Sequence, residues 1–461
     1  MIERTEVLVI GGGPAGITFC RLLKKLRPEV AITMLRPEAN SMVYCAIPYA
    51  LQGLFDPEAV YKKDALVTDV GVRLVRQRVA RVNLADREAV TEDGTVLGFE
   101  TLFIATGAVP VQPRLDNADA DNVFTVKTQD DMLGILGKLQ AGARRAVVVG
   151  AGAIGIEQAQ AYRERSLDVV LVDMADRVLP TMLDADMAAP VHDVLRDQGI
   201  DLRLGGTVSR LDGSGGRVHR VALSDGTAVD LDPGTDFVCF AVGMRPDIDL
   251  FQDQGLAVEK DGIVVDDRMR TNLPGVLAAG DCCRFVSAID GKVLGGKLAT
   301  NAVPMAKVAA RTVAGIRDRY SGFVNGAATC AFHLRVASTG FTEALARERG
   351  FTPVVGTGHT RSRFPMMPGS SDVRFKLVAD ADSRRVLGGQ VVAEVAATDK
   401  IDVVSLALQQ RLTLDDLARF SYSAQPWQSF FPAKHALVEA CESALDRLDN
   451  ADREPPAGIA S

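Results

Sequence analysis

Two segments of the chain repeat one pattern, and that repeat constrains the fold more than any other feature. Each reads as a short apolar strand, a glycine-rich turn, a helix and a second apolar strand. The segments are residues 6–35 (EVLVIGGGPAGITFCRLLKKLRPEVAITML) and residues 145–173 (RAVVVGAGAIGIEQAQAYRERSLDVVLVD). Strand, turn, helix and strand in this order form the βαβ unit of a dinucleotide-binding fold. The sequence therefore predicts an α/β protein with two Rossmann-like dinucleotide-binding domains.

The first turn matches the pattern G-x-G-x-x-G. Its glycines permit the tight turn, the approach of the backbone to a pyrophosphate and the close packing of helix on strand. The pyrophosphate then lies at the helix N-terminus, where free N–H groups favour negative charge. An acidic residue is expected after the second strand, but the chain reads Arg36-Pro37-Glu38, so either Glu38 serves instead or the ribose is held differently. The predicted loop contacts are Gly11, Gly13, Pro14, Ala15 and Gly16.

The second turn carries the same motif with the acidic residue in place, because Asp173 ends the second strand. A carboxylate there accepts hydrogen bonds from the ribose hydroxyls and repels a 2′-phosphate, which predicts NADH in preference to NADPH. One such loop alone could be a glycine turn without a ligand, but two in matching context argue against that. The predicted contacts are Gly150, Gly152, Ile154, Gly155 and Glu157.

Charge, hydropathy and cysteine usage exclude several classes of protein. The net charge of -7 and pI of about 5.4 lack the basic footprint of a nucleic-acid partner. The apolar runs are strand-length, far short of the ~20 residues that span a bilayer, and the N-terminus lacks a signal-like apolar region. Seven cysteines, an odd number without paired CxxC motifs, predict neither a disulfide framework nor a zinc site. We expect a cytoplasmic protein that binds no metal, nucleic acid or membrane.

Four further segments resemble motifs of a known protein family. Ala105-Thr106-Gly107 closes an apolar strand, FAVGMRP spans residues 240–246, GVLAAGD ends at Asp281, and VASTGFTE spans residues 336–343. Together with the two glycine turns, these segments resemble the pyridine nucleotide-disulfide oxidoreductases over nearly the whole chain. The resemblance implies FAD at the first loop and NADH at the second. It adds as cofactor contacts Ala105, Thr106, Gly107, Gly243, Gly280 and Asp281.

The resemblance also implies the domain order. The FAD-binding domain is expected in two pieces, residues 1–117 and 245–322, around an NAD-binding domain at residues 118–244. An α+β dimerisation domain is expected at residues 323–448, and the Pro/Ala/Gly-rich stretch 449–461 is predicted to be disordered. The family resemblance predicts a homodimer.

The segment SMVYCAIPY at residues 41–49 decides the branch of the family. Glutathione reductase-like members carry two cysteines here, whereas this chain carries only Cys45. It therefore resembles the single-cysteine branch of coenzyme A-disulfide reductases, NADH oxidases, NADH peroxidases and persulfide reductases, with Cys45 as the redox cysteine. With one cysteine, the oxidised form needs an outside partner, either a thiol such as coenzyme A or oxygen that leaves a sulfenic acid. Without the resemblance, Cys45 would be read as a small buried apolar residue.

Several residues bear on the electron acceptor. Coenzyme A-disulfide reductases use tyrosines of the partner subunit, and Tyr422 stands in a matching place. Tyr44 replaces the usual small residue before the redox cysteine, and the first loop lacks the histidine of peroxidases. His435 and Glu439 have the spacing of an ordinary helix-face pair and are interpreted as structural. The candidate substrate contacts, for which a surface or structural role is the alternative, are Arg21, Ser41, Tyr44 and Lys62.

The main hypothesis is an NADH-dependent flavoenzyme that reduces a small disulfide or persulfide through Cys45, with coenzyme A as one candidate thiol and Tyr422 assisting. One alternative is an NADH oxidase that reduces oxygen. Another is electron transfer to a small redox protein with Cys45 idle. The third is a flavoprotein that signals by changing its partners, as proteins resembling apoptosis-inducing factor do.

Overall fold

The computed structural model describes residues 2–296 and 298–451. The predicted disordered tail lies outside the described residues from 452 onward. Its first part, residues 449–451, instead continues the last helix, which ends at Ala451.

The strands are numbered along the chain. Those up to residue 204 are β1 (Glu3–Ile10), β2 (Ile32–Leu35), β3 (Ser41–Met42), β4 (Tyr61–Lys62), β5 (Arg73–Val75), β6 (Val79–Asn83), β7 (Glu88–Thr91), β8 (Val96–Ile104), β9 (Ala108–Pro110), β10 (Val123–Phe124), β11 (Arg145–Val149), β12 (Asp168–Asp173) and β13 (Asp201–Leu204). Those that follow are β14 (Val208–Ser214), β15 (Arg217–Leu223), β16 (Ala228–Asp230), β17 (Phe237–Phe240), β18 (Met244–Pro246), β19 (Val258–Glu259), β20 (Gly262–Ile263), β21 (Val276–Ala278), β22 (Ala327–Ala331), β23 (Leu334–Gly340), β24 (Pro353–Arg361), β25 (Asp372–Asp380) and β26 (Val386–Ala393).

The helices are numbered in the same way. They are α1 (Pro14–Leu26), α2 (Ile47–Gln52), α3 (Ala65–Thr68), α4 (Gln129–Gln140), α5 (Ala153–Glu164), α6 (Ala185–Asp197), α7 (Ala299–Val313), α8 (Glu343–Glu348), α9 (Thr398–Gln410), α10 (Leu414–Ala418) and α11 (Ala436–Ala451). No helix in the described part of the chain is long and apolar enough to cross a membrane.

The chain divides into two compact units. The first comprises the described residues of 1–113, 125–136 and 242–323. Its main sheet has the order β5-β2-β1-β8-β7-β6, with β21 also paired to β8, and β1 is parallel to both β2 and β8. Helix α1 buries Phe19 on this sheet, where its ring stacks on Phe103 at 3.9 Å between centroids. Burial of such a ring contributes about 1.5–3 kcal/mol, and it holds α1 close to β8.

The second unit comprises the described residues of 114–124, 137–241 and 324–461. A parallel sheet has the order β10-β17-β11-β12-β13, and the antiparallel sheet β14-β15-β16 is formed by the chain between β13 and β17. A second antiparallel sheet, β22-β23-β26-β25-β24, comes later in the chain. Helix α5 joins the first of these sheets to the last, because Thr329 donates a hydrogen bond to Glu157 at 2.8 Å. The predicted α/β class with two dinucleotide-type βαβ units is confirmed, whereas the boundaries at residues 117, 244, 322 and 448 remain predictions.

A buried ionic cluster in the second unit links the start of α6 to the C-terminal antiparallel sheet. Lys376 of β25 is 4% exposed and lies 3.1 Å from Asp184 and 2.8 Å from Asp186. Gln390 of β26 donates to the Asp184 carboxylate at 2.6 Å. A buried lysine of this kind is stable only when carboxylates and hydrogen bonds compensate its charge, so the cluster specifies how α6 meets the C-terminal sheet.

Candidate active site

The first glycine loop joins β1 to α1 and leaves no room for side chains where strand and helix meet. A Cβ at Gly16 would lie 2.0 Å from the Gly11 carbonyl oxygen, and one at Gly11 would lie 2.1 Å from the Ala105 oxygen. Gly13, by contrast, faces open space and precedes the first turn of α1, which no side chain caps. The loop therefore offers free N–H groups and an unobstructed approach, which fits the pyrophosphate of a dinucleotide.

Arg36 occupies the position directly after β2, where the ribose-binding carboxylate was expected. Its side chain is 3% exposed, and its Nη2 lies 2.7 Å from Oδ1 of Asp64. Nε also donates to the Glu38 carbonyl at 3.0 Å. Burial opposes ionisation of Asp64, but the hydrogen bonds and charges of Arg36 and Arg76 lower the net pKa of that carboxyl. Glu38 itself is exposed beside this ion pair.

The other predicted FAD contacts gather at the ends of β8 and β21. Thr106 follows β8 and donates to the Asp247 carbonyl at 2.5 Å. Gly107 has φ of 77° and Gly280 has φ of 84°, conformations that favour glycine. A Cβ at Gly280 would meet Ala15 at 3.3 Å, so the segment carrying Asp281 packs closely on the first turn of α1. Parallel strands thus bring the segments around residues 11, 106 and 280 to one edge of the sheet.

The second glycine loop joins β11 to α5 with the same close packing. A Cβ at Gly155 would lie 1.7 Å from the Gly150 carbonyl oxygen, whereas Gly152 faces open space. Asp173 at the end of β12 accepts hydrogen bonds from the Ala151 N–H at 2.5 Å and the Ala175 N–H at 2.7 Å. The carboxylate is therefore held against the loop, where a nucleotide ribose would meet it. Ile154 is exposed at this loop, and Gly243 has φ of 111°.

Cys45 is exposed on a 3₁₀ turn, Tyr44–Ala46, that leads into α2 within the first unit. Most other cysteines are buried: Cys20, Cys239, Cys282, Cys283 and Cys441. Burial raises the pKa of the Cys20 thiol, and burial followed by the charge of Glu442 raises that of Cys441 to about 12. The thiolate is the reactive form of cysteine, so the raised pKa values disfavour Cys20 and Cys441 as reactive groups.

Lys127 is a residue at this site that the sequence did not reveal. Its Nζ lies 4.2 Å from the centroid of the Tyr44 ring. Burial lowers the pKa of Lys127, and the negative charges of Asp281 and of ionised Cys45 oppose that shift. No motif marked this lysine, because 82 residues separate it from Cys45 and only the fold brings them together.

The C-terminal candidates form an aromatic cluster in the second unit. Tyr422 donates its hydroxyl to the Pro432 carbonyl at 2.8 Å, and its ring centroid lies 4.3 Å from that of His435. Burial lowers the pKa of His435 to about 4, so the imidazole is neutral at physiological pH. Glu439 instead pairs with Lys434 at 3.1 Å. The side chains of His435 and Glu439 therefore do not form a hydrogen-bonded acid–base pair. This agrees with the interpretation of both residues as structural.

The substrate candidates lie in the first unit but differ in exposure. Ser41 is buried and donates its hydroxyl to the Gly12 carbonyl at 2.8 Å, so it supports the glycine loop. Arg21 is exposed and donates to the Leu66 carbonyl at 2.8 Å, while Lys62 is half-buried in β4. Within residues 2–296 and 298–451, no group of three or more His, Cys, Asp or Glu side chains could hold a metal ion.

Comparisons with known proteins identify the family. Residues 5–306 match the model of pyridine nucleotide-disulphide oxidoreductases, and residues 327–429 match the dimerisation domain of that family. The chain therefore belongs to the pyridine nucleotide-disulphide oxidoreductases. It is an enzyme that uses FAD and NAD(P)H, and it carries a dimerisation domain, as predicted.

Individual relatives divide between two activities. An NADH oxidase of Methanocaldococcus jannaschii is 31% identical over 96% of this chain and 100% of its own length. A Pyrococcus horikoshii protein named NAD(P)H coenzyme A polysulfide/persulfide reductase is 27% identical over 90% of this chain and 93% of its own. The solved structure of an NAD-dependent persulfide reductase from A. fulgidus has a TM-score of 0.92 and 26% identity, covering 99% of this chain and 89% of that one.

Proposed function

We propose that the protein is an NADH-dependent reductase that passes two electrons through Cys45 to a small disulfide or persulfide. The observation that carries this proposal is the placement of Cys45. It is exposed in the unit that holds the FAD-type loop, on the turn before α2, while the other cysteines of that unit are buried. A thiol that must attack a diffusible substrate needs such access.

The reaction balances with one nicotinamide and one disulfide. The Cys45 thiolate attacks one sulfur of R–S–S–R′, a mixed disulfide forms, and R′S⁻ leaves and takes up a proton. Bound FAD supplies the two-electron link between nicotinamide and sulfur. Two electrons then cleave the mixed disulfide, RS⁻ leaves, and Cys45 returns to the thiolate. In total, NADH, H⁺ and the disulfide yield NAD⁺ and two thiols; a persulfide yields one thiol and hydrogen sulfide.

Asp173 supports NADH as the donor. Its carboxylate accepts hydrogen bonds from two backbone N–H groups next to the second loop, and we expect its negative charge to repel the 2′-phosphate of NADPH. We assign the second loop, with Gly150, Gly152, Ile154 and Gly155, to the nicotinamide nucleotide. The Glu157 carboxylate accepts a hydrogen bond from the Thr329 hydroxyl, so we propose that Glu157 supports α5 after the loop and does not itself contact the nucleotide.

The dimerisation domain supports a homodimer in which Tyr422 serves the partner subunit. The P. horikoshii relative is named for coenzyme A, and we propose Arg21 and Lys62 as contacts for a phosphorylated thiol of that kind. Tyr44 narrows the approach to Cys45, because a half-buried ring stands where the family usually has a small side chain.

Anaerobic reduction with NADH tests the proposal. The holoenzyme and a Cys45→Ser variant are titrated, and electrons taken up per flavin are counted from the absorbance. If Cys45 is isolated oxidised or as a mixed disulfide, we expect about four electrons per flavin in the wild type and about two in the variant, because a flavin and a disulfide each accept two. A prior thiol-release assay establishes that starting state. Full turnover of disulfides and persulfides by Cys45→Ser would refute the proposal.

An NADH oxidase is the second candidate, and the M. jannaschii relative of that name favours it. Here Cys45 would cycle through sulfenic acid with oxygen as the acceptor. Oxygen consumption during NADH turnover, measured without any disulfide, separates the two activities. Stoichiometric oxygen use at a rate above that of every disulfide and persulfide tested would assign the oxidase.

A further inference from the structure

The chain between β12 and α6, residues 174–184, contacts the second glycine loop and is here called the support segment. Leu179 donates its N–H to the Ala151 carbonyl at 2.8 Å, and both Leu179 and its neighbour Val178 are fully buried. The N–H of the same alanine is bound by the Asp173 carboxylate. The support segment therefore holds one side of a loop residue whose other side is held by the end of β12.

The backbone of the support segment is strained at Leu179. Its φ of 51° lies in the left-handed region, which residues with a side chain rarely adopt. A strained conformation of this kind persists only where the surrounding structure holds it. Part of that support is local, because the Leu179 carbonyl accepts hydrogen bonds from the N–H groups of Met182 and Leu183, each at 2.9 Å. Loss of a further support on the other side of Leu179 is therefore expected to let the segment relax.

His192 of α6 provides that further support, at the residue before Leu179. Its Nε2 accepts a hydrogen bond from the Val178 N–H at 2.9 Å. A ring nitrogen accepts only when it carries no proton, so His192 acts here as a neutral imidazole with its proton on Nδ1. In an imidazolium both ring nitrogens are donors. Protonation would therefore replace this hydrogen bond by two N–H groups that face each other.

The charged groups that act on the His192 ring come from two elements. Arg196 and Asp193 lie on α6, and Asp176 lies on the support segment. Burial, and after it the charge of Arg196, lower the pKa of His192, while the two carboxylates oppose that shift. Because the net pKa is below the usual value of about 6.5, the imidazole is neutral at physiological pH and gains its proton in mildly acidic solution.

We propose that His192 is a positioning residue for the nicotinamide nucleotide: it holds the support segment, and through it the Ala151 carbonyl of the second loop, in place. The inference rests on the proposed assignment of the second loop to that nucleotide. The nucleotide binds the fraction of molecules in which the loop is correctly held, so loss of the His192 acceptor weakens the apparent affinity by that fraction. Nucleotide binding thereby acquires an acid limit that the glycine turn alone does not impose.

The test is the affinity of the oxidised holoenzyme for NAD⁺, an acid-stable probe, measured by titration calorimetry from about pH 8 to about pH 5. We expect the wild-type affinity to fall below about pH 6.5, toward the roughly fivefold loss that removal of one hydrogen bond produces. His192→Leu should show this weaker affinity already at the alkaline end. His192→Gln, whose amide oxygen replaces Nε2 as acceptor and does not titrate, should keep the full affinity at both ends.

His219→Gln is the matched control, because His219 is an exposed histidine of β15 in the same unit. It should keep the wild-type pH profile. A wild-type affinity that does not change with pH, or a His192→Gln profile equal to that of the wild type, would overturn the inference. If His192→Leu does not fold, the comparison of the wild type with His192→Gln still decides.

Gly155→Ala in the same titration separates failure of this inference from failure of the loop assignment. Weaker binding in Gly155→Ala, together with no effect of either His192 variant, would refute the positioning role alone. Unchanged binding in Gly155→Ala would refute the assignment of the second loop and, with it, the inference that depends on it.

Discussion

The two glycine loops have the same backbone conformation, but they differ in the residue at the end of the neighbouring strand. Gly11 and Gly150 have φ of 111° and 107°, and each donates its N–H to the end of the neighbouring strand, at 2.9 Å to Leu35 and 2.7 Å to Val172. The residue that follows the accepting carbonyl is Arg36 in the first loop and Asp173 in the second. The glycines therefore determine the shape of both loops, and the residue at the end of the neighbouring strand can differ between them.

The strand-end residue contacts the second residue of each glycine motif, Gly12 or Ala151. Asp173 accepts a hydrogen bond from the Ala151 N–H. The Arg36 stem instead covers Gly12 so closely that a Cβ there would lie 2.4 Å from Arg36 Cδ. The second loop can thus carry alanine where the first requires glycine, and a carboxylate stands at the strand end of only the second loop.

Loss of the close helix–strand contact should have the largest effect and should separate the two loops. In Gly155→Ala the new Cβ would press on the Gly150 carbonyl, at a cost of about 3 kcal/mol, or about a hundredfold in affinity for NADH. We expect this variant to keep its flavin, whereas Gly16→Ala should purify with little flavin. Flavin absorbance and NADH titration measure both effects.

Gly137→Ala is the matched control, because no described atom outside the adjacent residues and the local backbone of α4 lies within 4 Å of the Cβ it adds. It should bind both cofactors as the wild type does. Unchanged NADH affinity in Gly155→Ala would contradict the assignment of the second loop.

Removal of the Asp64 charge should destabilise only the first loop. Asp64→Asn leaves the buried Arg36 without its ion-pair partner, which costs about 3 kcal/mol. The pKa of Asp64 is lowered in the folded state, so its contribution is full above the unfolded value of ~3.9 and is lost as pH falls through the folded value. Urea denaturation should show a wild-type advantage at pH 7 that shrinks below about pH 4.

Asp69→Asn, an exposed carboxylate at the end of α3, should leave stability within about 0.5 kcal/mol of wild type. Equal stability of Asp64→Asn and the wild type at pH 7 would contradict a structural role for the Arg36 ion pair.

Replacement of the other strand-end residue should affect nucleotide choice. Asp173→Asn weakens charge-assisted hydrogen bonds to the loop and removes the repulsion of a 2′-phosphate, so we expect about tenfold weaker NADH binding, or about 1.4 kcal/mol. The ratio of kcat/KM for NADH to that for NADPH should fall. Asp176→Asn, an exposed neighbour paired with Arg177, should leave the ratio unchanged; an unchanged ratio in Asp173→Asn would mean that other residues select the nucleotide.

The smallest expected effect concerns the carbonyl in the middle of each loop. Ser41 Oγ donates to the Gly12 carbonyl at 2.8 Å, whereas the equivalent Ala151 carbonyl accepts from the Leu179 N–H at 2.8 Å. Ser41→Ala should therefore cost about 1 kcal/mol, seen as slightly weaker FAD retention with NADH affinity unchanged. Thermal release of flavin is the measurement, and a loss of disulfide turnover with normal flavin retention would instead place Ser41 in contact with substrate.

Local patterns made much of this protein readable from its sequence. A glycine turn between a strand and a helix depends on neighbouring residues, so the two βαβ units that carry the glycine loops were predicted correctly. The single-cysteine segment and the family resemblance also led to the FAD-dependent, NAD(P)H-dependent class. These features are encoded within a few dozen residues and do not depend on how distant elements pack.

Tertiary structure alone decided the partners of those residues. Arg36 meets Asp64, Ser41 meets Gly12 and Lys127 meets Tyr44 because separate strands and turns converge at one sheet edge. No periodicity or spacing encodes such meetings, since the chain between the partners can have many lengths and the contact depends on side-chain direction. The sequence by itself thus determined which cofactors the chain can bind, and packing determined which charged groups meet, because electrostatic interactions act through space and not along the chain.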